Sequence, residues 1–277
     1  MTPYNWIRQV SGMSDEELEL DVENNQSFVE YSFENDNTPR ITPTLPDDSI
    51  NLFDPIQLKF YSKDHIVQTA LAYIKRRRLD TAINAPDALY LSRRDYTHKN
   101  RLIIPFKSSS GKIIFYQSRK LFEWDDKTDY LSKYDSDKSI FGIDHVDSSI
   151  NQVFIFEGPI DSCFMKNGVA VGGINEGHHR FTPTQSDQLE ELKFYEKIWV
   201  LDSQWKDETA QKKTLVLLEM GEKVFIWPRN WGVRYKDFNE ICTDQGIDGI
   251  SSAFVLKNSQ CGVSAALKFK MILSKIN

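Results

Sequence analysis

The stretch VFIFEGPIDS, residues 153–162, runs four apolar residues into Glu157, turns at Gly158 and Pro159, and meets a second acid at Asp161. The run IWVL (198–201) ends at Asp202 in the same way. The run KVFIW (223–227) is followed by the turn YKDFNE, which carries Asp237 and Glu240. Carboxylates that converge repel one another strongly at an effective dielectric of about 20. A divalent cation between them relieves that repulsion, and an all-carboxylate site offers hard oxygen ligands suited to Mg2+ or Mn2+. Taken singly, each acid has a plainer use, because an aspartate after a strand commonly caps the next helix. As a set, they read as a site.

The elements that must hold these acids can be traced from the apolar runs. QVFIF reads as a buried strand, and PIDSCFMKN as a short helix with Pro159 at an early position. VAVGG is a second strand. TPTQSDQLEELKFY is a helix capped by Thr182 with Pro183 at its first position. KIWVLD is a third strand, DETAQKKTLVLLEMG a helix stopped at Gly221, and KVFIW a fourth strand. Strands alternating with helices imply parallel βαβ units buried on both faces. In such sheets ligands bind outside the carboxyl ends of the strands, where Glu157 and Asp202 converge if their strands are neighbours. Upstream, SKDHIVQTALAYIKRRRL (62–79) reads as an amphipathic helix capped by Ser62, with Ile66, Ala70, Tyr73, Ile74 and Leu79 on its apolar side. RLIIPF and KIIFYQSR flank the hairpin signal KSSSG.

These elements predict an α/β fold. A four-stranded, mainly parallel sheet flanked by helices spans 151–245, preceded by a smaller, basic α+β part at 55–150. Residues 1–54, acidic and holding four prolines, read as a tail or linker, and 246–277 as a helical C-terminal segment.

The 277 residues are 40% hydrophobic and 27% charged, an ordinary globular balance, and no apolar run nears the ~20 residues of a membrane span. The acidic N-terminal stretch lacks the apolar core of a secretory signal. Cys163, Cys242 and Cys261 form no CxxC pair, so the expectation is reduced thiols in cytoplasm and no structural zinc. Net charge is -6, yet KRRR, SRRDYTHKNR and SRK gather base into residues 75–120. That stretch either tracks a phosphate backbone or is a solvated surface with compensating charges.

The ordered blocks VFIFEGPIDSCFMKNGVAVGG, IWVLDSQWKDETAQKK and WPRNWGVRYKDFNE resemble a Toprim domain, and more narrowly that of bacterial and phage-type DNA primases. Upstream, ALAYIKRRRLDTAI, RLIIPFKSSSGKIIFYQSRKL and DYLSKYDSDKSIFGI resemble the N-terminal half of the primase catalytic core, so the likeness spans about residues 55–245. The resemblance implies template-directed synthesis of short RNA primers on single-stranded DNA by metal-dependent nucleotidyl transfer. It places Glu157, Asp161 and Asp202 as catalytic acids, and Glu157, Asp202 and Asp237 as ligands for Mg2+ or Mn2+. Arg101, Arg119 and Lys138 match basic positions of the template and nucleotide groove, with Lys120 and Lys236 assigned beside them.

This chain departs from the pattern in two places. The second acid of the DxD pair is Gln204, which still offers a carbonyl oxygen, with Asp207 nearby as a substitute ligand. Asn239 stands where many relatives carry an acid. Such primases usually carry an N-terminal zinc-binding module, but no cysteine precedes Cys163, and no GxxxxGK[ST] motor loop occurs. The implied partners are single-stranded DNA, ribonucleoside triphosphates, a replicative helicase and a separate zinc-binding protein, with no membrane. Two rivals stand beside this reading: a nuclease on the same metal-binding domain, and a non-catalytic nucleic-acid- or helicase-binding protein. EGHHR (176–180) reads as a polar loop at the site's rim, and Trp231 as a residue free to touch nucleotide.

Overall fold

Two aspartates open the first helices. In the computed structural model, which describes residues 44–133, 136–173 and 181–273, Asp54 caps α1 (Pro55–Phe60) and Asp64 caps α2 (His65–Arg76). Asp64 Oδ1 accepts from the amides of Ile66 (2.8 Å) and Val67 (3.0 Å), donors that a helix start leaves open. The cap expected at Ser62 therefore moves to a charged acceptor beside the helix's positive end. Val67, Ala70, Tyr73 and Ile74 form the buried stripe, and the chain leaves the helix where Arg78 takes a left-handed φ of 56°. Of the tail or linker expected over 1–54, residues 1–43 lie outside the described residues, as do the EGHHR loop and residues 274–277, whereas Ile50 and Leu52 near its end are buried.

The first sheet is antiparallel throughout. Its strands β1 (Ile50–Asn51), β2 (Tyr90–Leu91), β3 (Leu102–Lys107), β4 (Ile113–Arg119) and β5 (Tyr130–Ser132) lie side by side in chain order. β3 and β4 form the expected hairpin, closed where Ser108 donates to the Lys112 carbonyl at 2.8 Å. Pro105 sits mid-strand without breaking the ladder. β2 pairs only with Leu102 and Ile103, so beyond them no neighbour calls for the missing amide.

The second sheet has the order β10-β9-β8-β6-β7. Its parallel strands are β6 (Gln152–Phe156), β7 (Gly168–Ala170), β8 (Glu196–Val200) and β9 (Lys223–Phe225). The connecting helices are α3 (Pro159–Ser162), α4 (Pro183–Glu191) and α5 (Glu208–Glu219). Thr182 and Gln185 close a full capping box on α4. After β9 come α6 (Arg229–Gly232), α7 (Phe238–Gln245), α8 (Ser252–Lys257), β10 (Ser259–Gln260) and α9 (Gly262–Leu273). β10 is a fifth strand, added antiparallel to the free edge of β9. Two residues carry no readable alternation, so the expectation stopped at four.

Side chains alternate across this sheet and build two cores. Phe154, Phe156, Ile198, Val200 and Phe225 point into one cluster, shared with Leu102, Ile104 and Phe106 of the first sheet. Val153, Ile155, Trp199 and Val224 point the other way, into a cluster with Leu218, Ala265 and Phe269. Each fully buried aromatic or aliphatic side chain contributes about 1.5–3 kcal/mol relative to exposure, which explains why QVFIF is apolar on both faces. The first sheet thus covers one face of the second. A polar tie joins them: Gln117 Nε2 donates to the Gly172 carbonyl at 2.9 Å. Among the described residues, no helix is long and apolar enough to cross a membrane.

Candidate active site

Strand register brings the first two acids together. β6 and β8 are parallel neighbours with Phe156 opposite Val200, so Glu157 and Asp202 leave the sheet at the same edge, one residue out of step. Asp237 arrives from β9 by way of α6 and caps α7 by accepting the Glu240 amide at 2.7 Å. The Ser203 amide donates to the Lys236 carbonyl at 2.7 Å, which pins the turn after β8 to the turn before α7. Asp161, in the first turn of α3, accepts the Asn239 amide at 3.0 Å. Local capping and one backbone bond therefore place all four carboxylates.

Glu157, Asp161, Asp202 and Asp237 line one cavity of about 430 Å3, together with Tyr73, Arg77, Gln117, Arg119, Tyr130 and Lys236. Burial, then the charges of Asp237 and Asp202, hold the Asp161 carboxyl well above the usual carboxylate range. Burial also pushes Asp202 up to about 6, with Lys236 opposing and Glu157 and Asp237 adding to the rise. Asp237 is raised as well, chiefly by burial and against the pull of the Glu240 amide. Acids crowded in this way favour a cation among them. Two ammonium groups already serve: Lys213 of α5 pairs with Glu157, and Lys236 Nζ lies 3.3 Å from Asp202.

Among the described residues, the single group of three ligand side chains with atoms within 4.8 Å of one another is Asp87, Asp144 and His145, away from this edge. Lys107 Nζ lies 2.7 Å from Asp87 and 3.4 Å from Asp144, so an ammonium supplies the cation there. Glu157, Asp202 and Asp237 share their cavity with ligand oxygens that do not all lie within 4.8 Å of one another. Carboxylates spread around open space suit a hard cation that keeps much of its water and takes further ligands from substrate phosphates, as Mg2+ does. A wider hollow of about 1220 Å3 beside α1 holds Asp48, but Ser92 and the amides of Arg93 and Arg94 already occupy that carboxylate.

The basic residues divide. Arg119 and Lys236 line the cavity. Lys138 reaches its rim, with Nζ 3.9 Å from the point where a side chain on Gly173 would begin. Burial, then the nearby Lys213, lowers its affinity for a proton. Lys120 does not line the cavity. Arg101 is a correction: its side chain is 1% exposed and paired with Asp125. Its remaining donors go to Ser118 Oγ and the carbonyls of Thr128 and Asp129.

The expected ligand substitutes are corrections too. Gln204 is buried, with Nε2 on Thr214 Oγ1 and the Phe225 carbonyl, while its Oε1 accepts the Trp227 amide. The carbonyl oxygen expected to face a metal is spent on closing β9. Asp207 Oδ1 accepts the Ala210 amide at 2.9 Å as the cap of α5. Asp207→Ala is accordingly expected to cost about 1 kcal/mol of stability and leave metal affinity unchanged, read by thermal melting and Mn2+ titration. Asn239 is buried and pairs reciprocally with Arg77: its Oδ1 accepts from Arg77 Nη1 (2.6 Å), and its Nδ2 donates to the Arg77 carbonyl (2.8 Å). Trp231 packs against Tyr235 and Phe254, outside the cavity.

Sequence reasoning overlooked Tyr73, Arg77, Gln117, Tyr130 and Lys213. One signal was present: in KRRR, Arg76 and Arg77 sit three and four residues from Tyr73, on its face of the helix.

No family model matches the chain. Over 179 residues, 63% of its length, it is 31% identical to the DNA primase of Enterobacteria phage T4. It spans about half, 47%, of that curated relative. Among solved structures, the RNA polymerase domain of Mycobacterium tuberculosis primase DnaG aligns with a TM-score of 0.48 and 17% identity, covering 73% of this chain and 79% of that one. A DNA primase domain from Pseudomonas aeruginosa aligns with a TM-score of 0.43 and 17% identity, covering 73% of this chain and 62% of that one.

Proposed function

We propose that this chain is the catalytic core of a DNA primase, which joins ribonucleotides on a single-stranded DNA template by attack of a 3′-hydroxyl on an α-phosphate, with pyrophosphate leaving. The observation that carries this reading is one cavity lined by Glu157, Asp161, Asp202 and Asp237 together with Arg77, Arg119 and Lys236. It occurs in a chain whose sequence matches a DNA primase.

The acids and bases divide the work. Mg2+ or Mn2+, held by Glu157, Asp202 and Asp237, would lower the pKa of the attacking hydroxyl and neutralise charge on the phosphates. Lys213 and Lys236 pair with Glu157 and Asp202 and place positive charge beside them. Arg119 offers a planar fork suited to bidentate phosphate contact. Asn239 holds Arg77 and Asp161 in place from one residue, so the side chain that replaces an acid serves as a brace. Asp161, its carboxyl raised by burial and by Asp237, is suited to hold a proton near the reacting groups.

Ribonucleoside triphosphates, a replicative helicase and a separate zinc-binding protein are the partners this reading assigns, with cytoplasm as the place of action. The test is direct. Incubated with labelled ribonucleotides, single-stranded template and Mg2+ or Mn2+, the chain is expected to yield short RNA products. Template degradation would replace this reading with a nuclease. Binding without product, under both metals and with a zinc-binding protein added, would replace it with a non-catalytic binder.

A further inference from the structure

Three buried side-chain polar atoms lack a hydrogen-bond partner among the described residues, and the residues carrying two of them, the Tyr73 hydroxyl and Arg119 Nε, line the carboxylate cavity. Buried polar groups are nearly always paired, so an orphan calls for a cause. Tyr73 projects from α2 and is 6% exposed. Arg76 and Arg77 stack their guanidinium groups on its ring, 5.5 and 5.7 Å from the centroid. Two guanidinium groups therefore lie over the ring of a residue whose hydroxyl has no acceptor.

Arg119 is half committed. Nη1 holds Asp129 at 2.7 Å, and the guanidinium lies 4.9 Å over the Tyr130 ring. Asp129 is 64% exposed, so water can replace it and the arginine can turn to another anion at little cost. Nε has nothing to release. Two unpartnered donors, with Arg77 in the same cavity lining, make a place for an oxyanion, and no carboxylate of the described residues fills it.

We propose that Tyr73 contacts substrate: its hydroxyl and Arg119 Nε form a two-donor subsite for a phosphate oxygen of the template backbone or of the incoming triphosphate. The proposal rests on reading the cavity as a nucleotide site and adds a residue to it. Tyr73 positions no acid and carries no charge. Its part is to donate one hydrogen bond from the floor of the helix, where the basic cluster of residues 75–78 begins.

Tyr73→Phe tests this in the full chain. The hydroxyl has no partner in the free protein, so the variant is expected to melt at the wild-type temperature or above. Two probes separate the sources of phosphate: a labelled oligodeoxythymidylate read by anisotropy, and ATP with Mg2+ read by equilibrium dialysis without template. One of them is expected to bind about tenfold more weakly, since a hydrogen bond to a charged group is lost; the probe affected identifies the source. The slope of affinity against salt stays at its wild-type value, because no charge is removed, whereas Arg119→Ala lowers it by about one. Binding of both probes within twofold of wild type, or a clear fall in melting temperature, overturns the subsite. If wild type still makes primers in that case, the subsite alone falls. If wild type binds neither probe and makes no primers, the primase reading falls with it.

Discussion

Glu157→Gln is expected to lower primer yield by roughly 10^3-fold, about 4 kcal/mol of transition-state stabilisation at 1.36 kcal/mol per factor of ten, while the chain stays folded. The two halves of this expectation come from different parts of the site. Catalysis suffers because Glu157 is the acid at the end of β6, beside the strand that delivers Asp202, where a cation has most need of formal charge. An amide keeps the shape and one oxygen but cannot hold a hard cation with comparable strength. The fold survives because the same oxygen can still accept from Lys213 Nζ. What is lost is the charge of a partly buried pair, with side chains 22% and 12% exposed, worth about 1 kcal/mol on the surface-pair scale. That corresponds to a fall of about 2–4 °C in melting temperature for a chain of this size. Primer yield under saturating Mg2+ and a melting curve on the same sample give both numbers. Near-normal yield removes Glu157 from the chemistry, and with it the role assigned to this edge of the sheet.

The acids were legible because each stands at the end of an apolar run. A buried strand cannot change sign in mid-sheet, so the first carboxylate after QVFIF or IWVL marks where the sheet meets solvent, and parallel connections put those ends on one side. The fate of polar side chains inside the following turns was not legible. Gln204 and Asp207 sit in the sequence window where ligands belong, yet both serve the backbone, one closing β9 and the other capping α5. A glutamine that satisfies a strand end reads the same in sequence as one that faces a metal, because its partners, Phe225 and Trp227, lie over twenty residues downstream. Asn239 is similar: its meaning depends on Arg77, brought to it from the other half of the chain. The short edge strand β10 left no trace, since two residues set no period. The wall of the cavity formed by Tyr73, Gln117 and Tyr130 depended on how the first sheet docks on the second, and periodicity within either sheet carries no information about that.

Arg101 shows the same limit in its sharpest form, and Arg101→Ala is expected to destabilise the fold by about 3–5 kcal/mol, the usual cost of removing one partner from a buried ion pair. In sequence, Arg101 and Arg119 are alike: each flanks an apolar strand in a basic region. In the fold they face opposite fates. Arg119 is 19% exposed at the cavity and pairs with an exposed aspartate. Arg101 is sealed, and its guanidinium gathers Asp125 with the carbonyls of Thr128 and Asp129 just before β5. It therefore organises the loop that delivers Tyr130 to the cavity. Alanine leaves Asp125 without its cation and takes the Arg101 donor from the Thr128 carbonyl, and the loss is a large share of the roughly 5–15 kcal/mol that holds a typical domain folded. Lysine is expected to rescue little, because a point charge cannot serve a carboxylate and two carbonyls at once. Denaturant titration of wild type, Arg101→Ala and Arg101→Lys measures the cost. Template binding of Arg101→Ala, under conditions where it remains folded, measures the rest: an unchanged salt slope is expected, since the charge removed touches no phosphate. A slope reduced by about one, with stability intact, would return Arg101 to the groove and overturn the structural role.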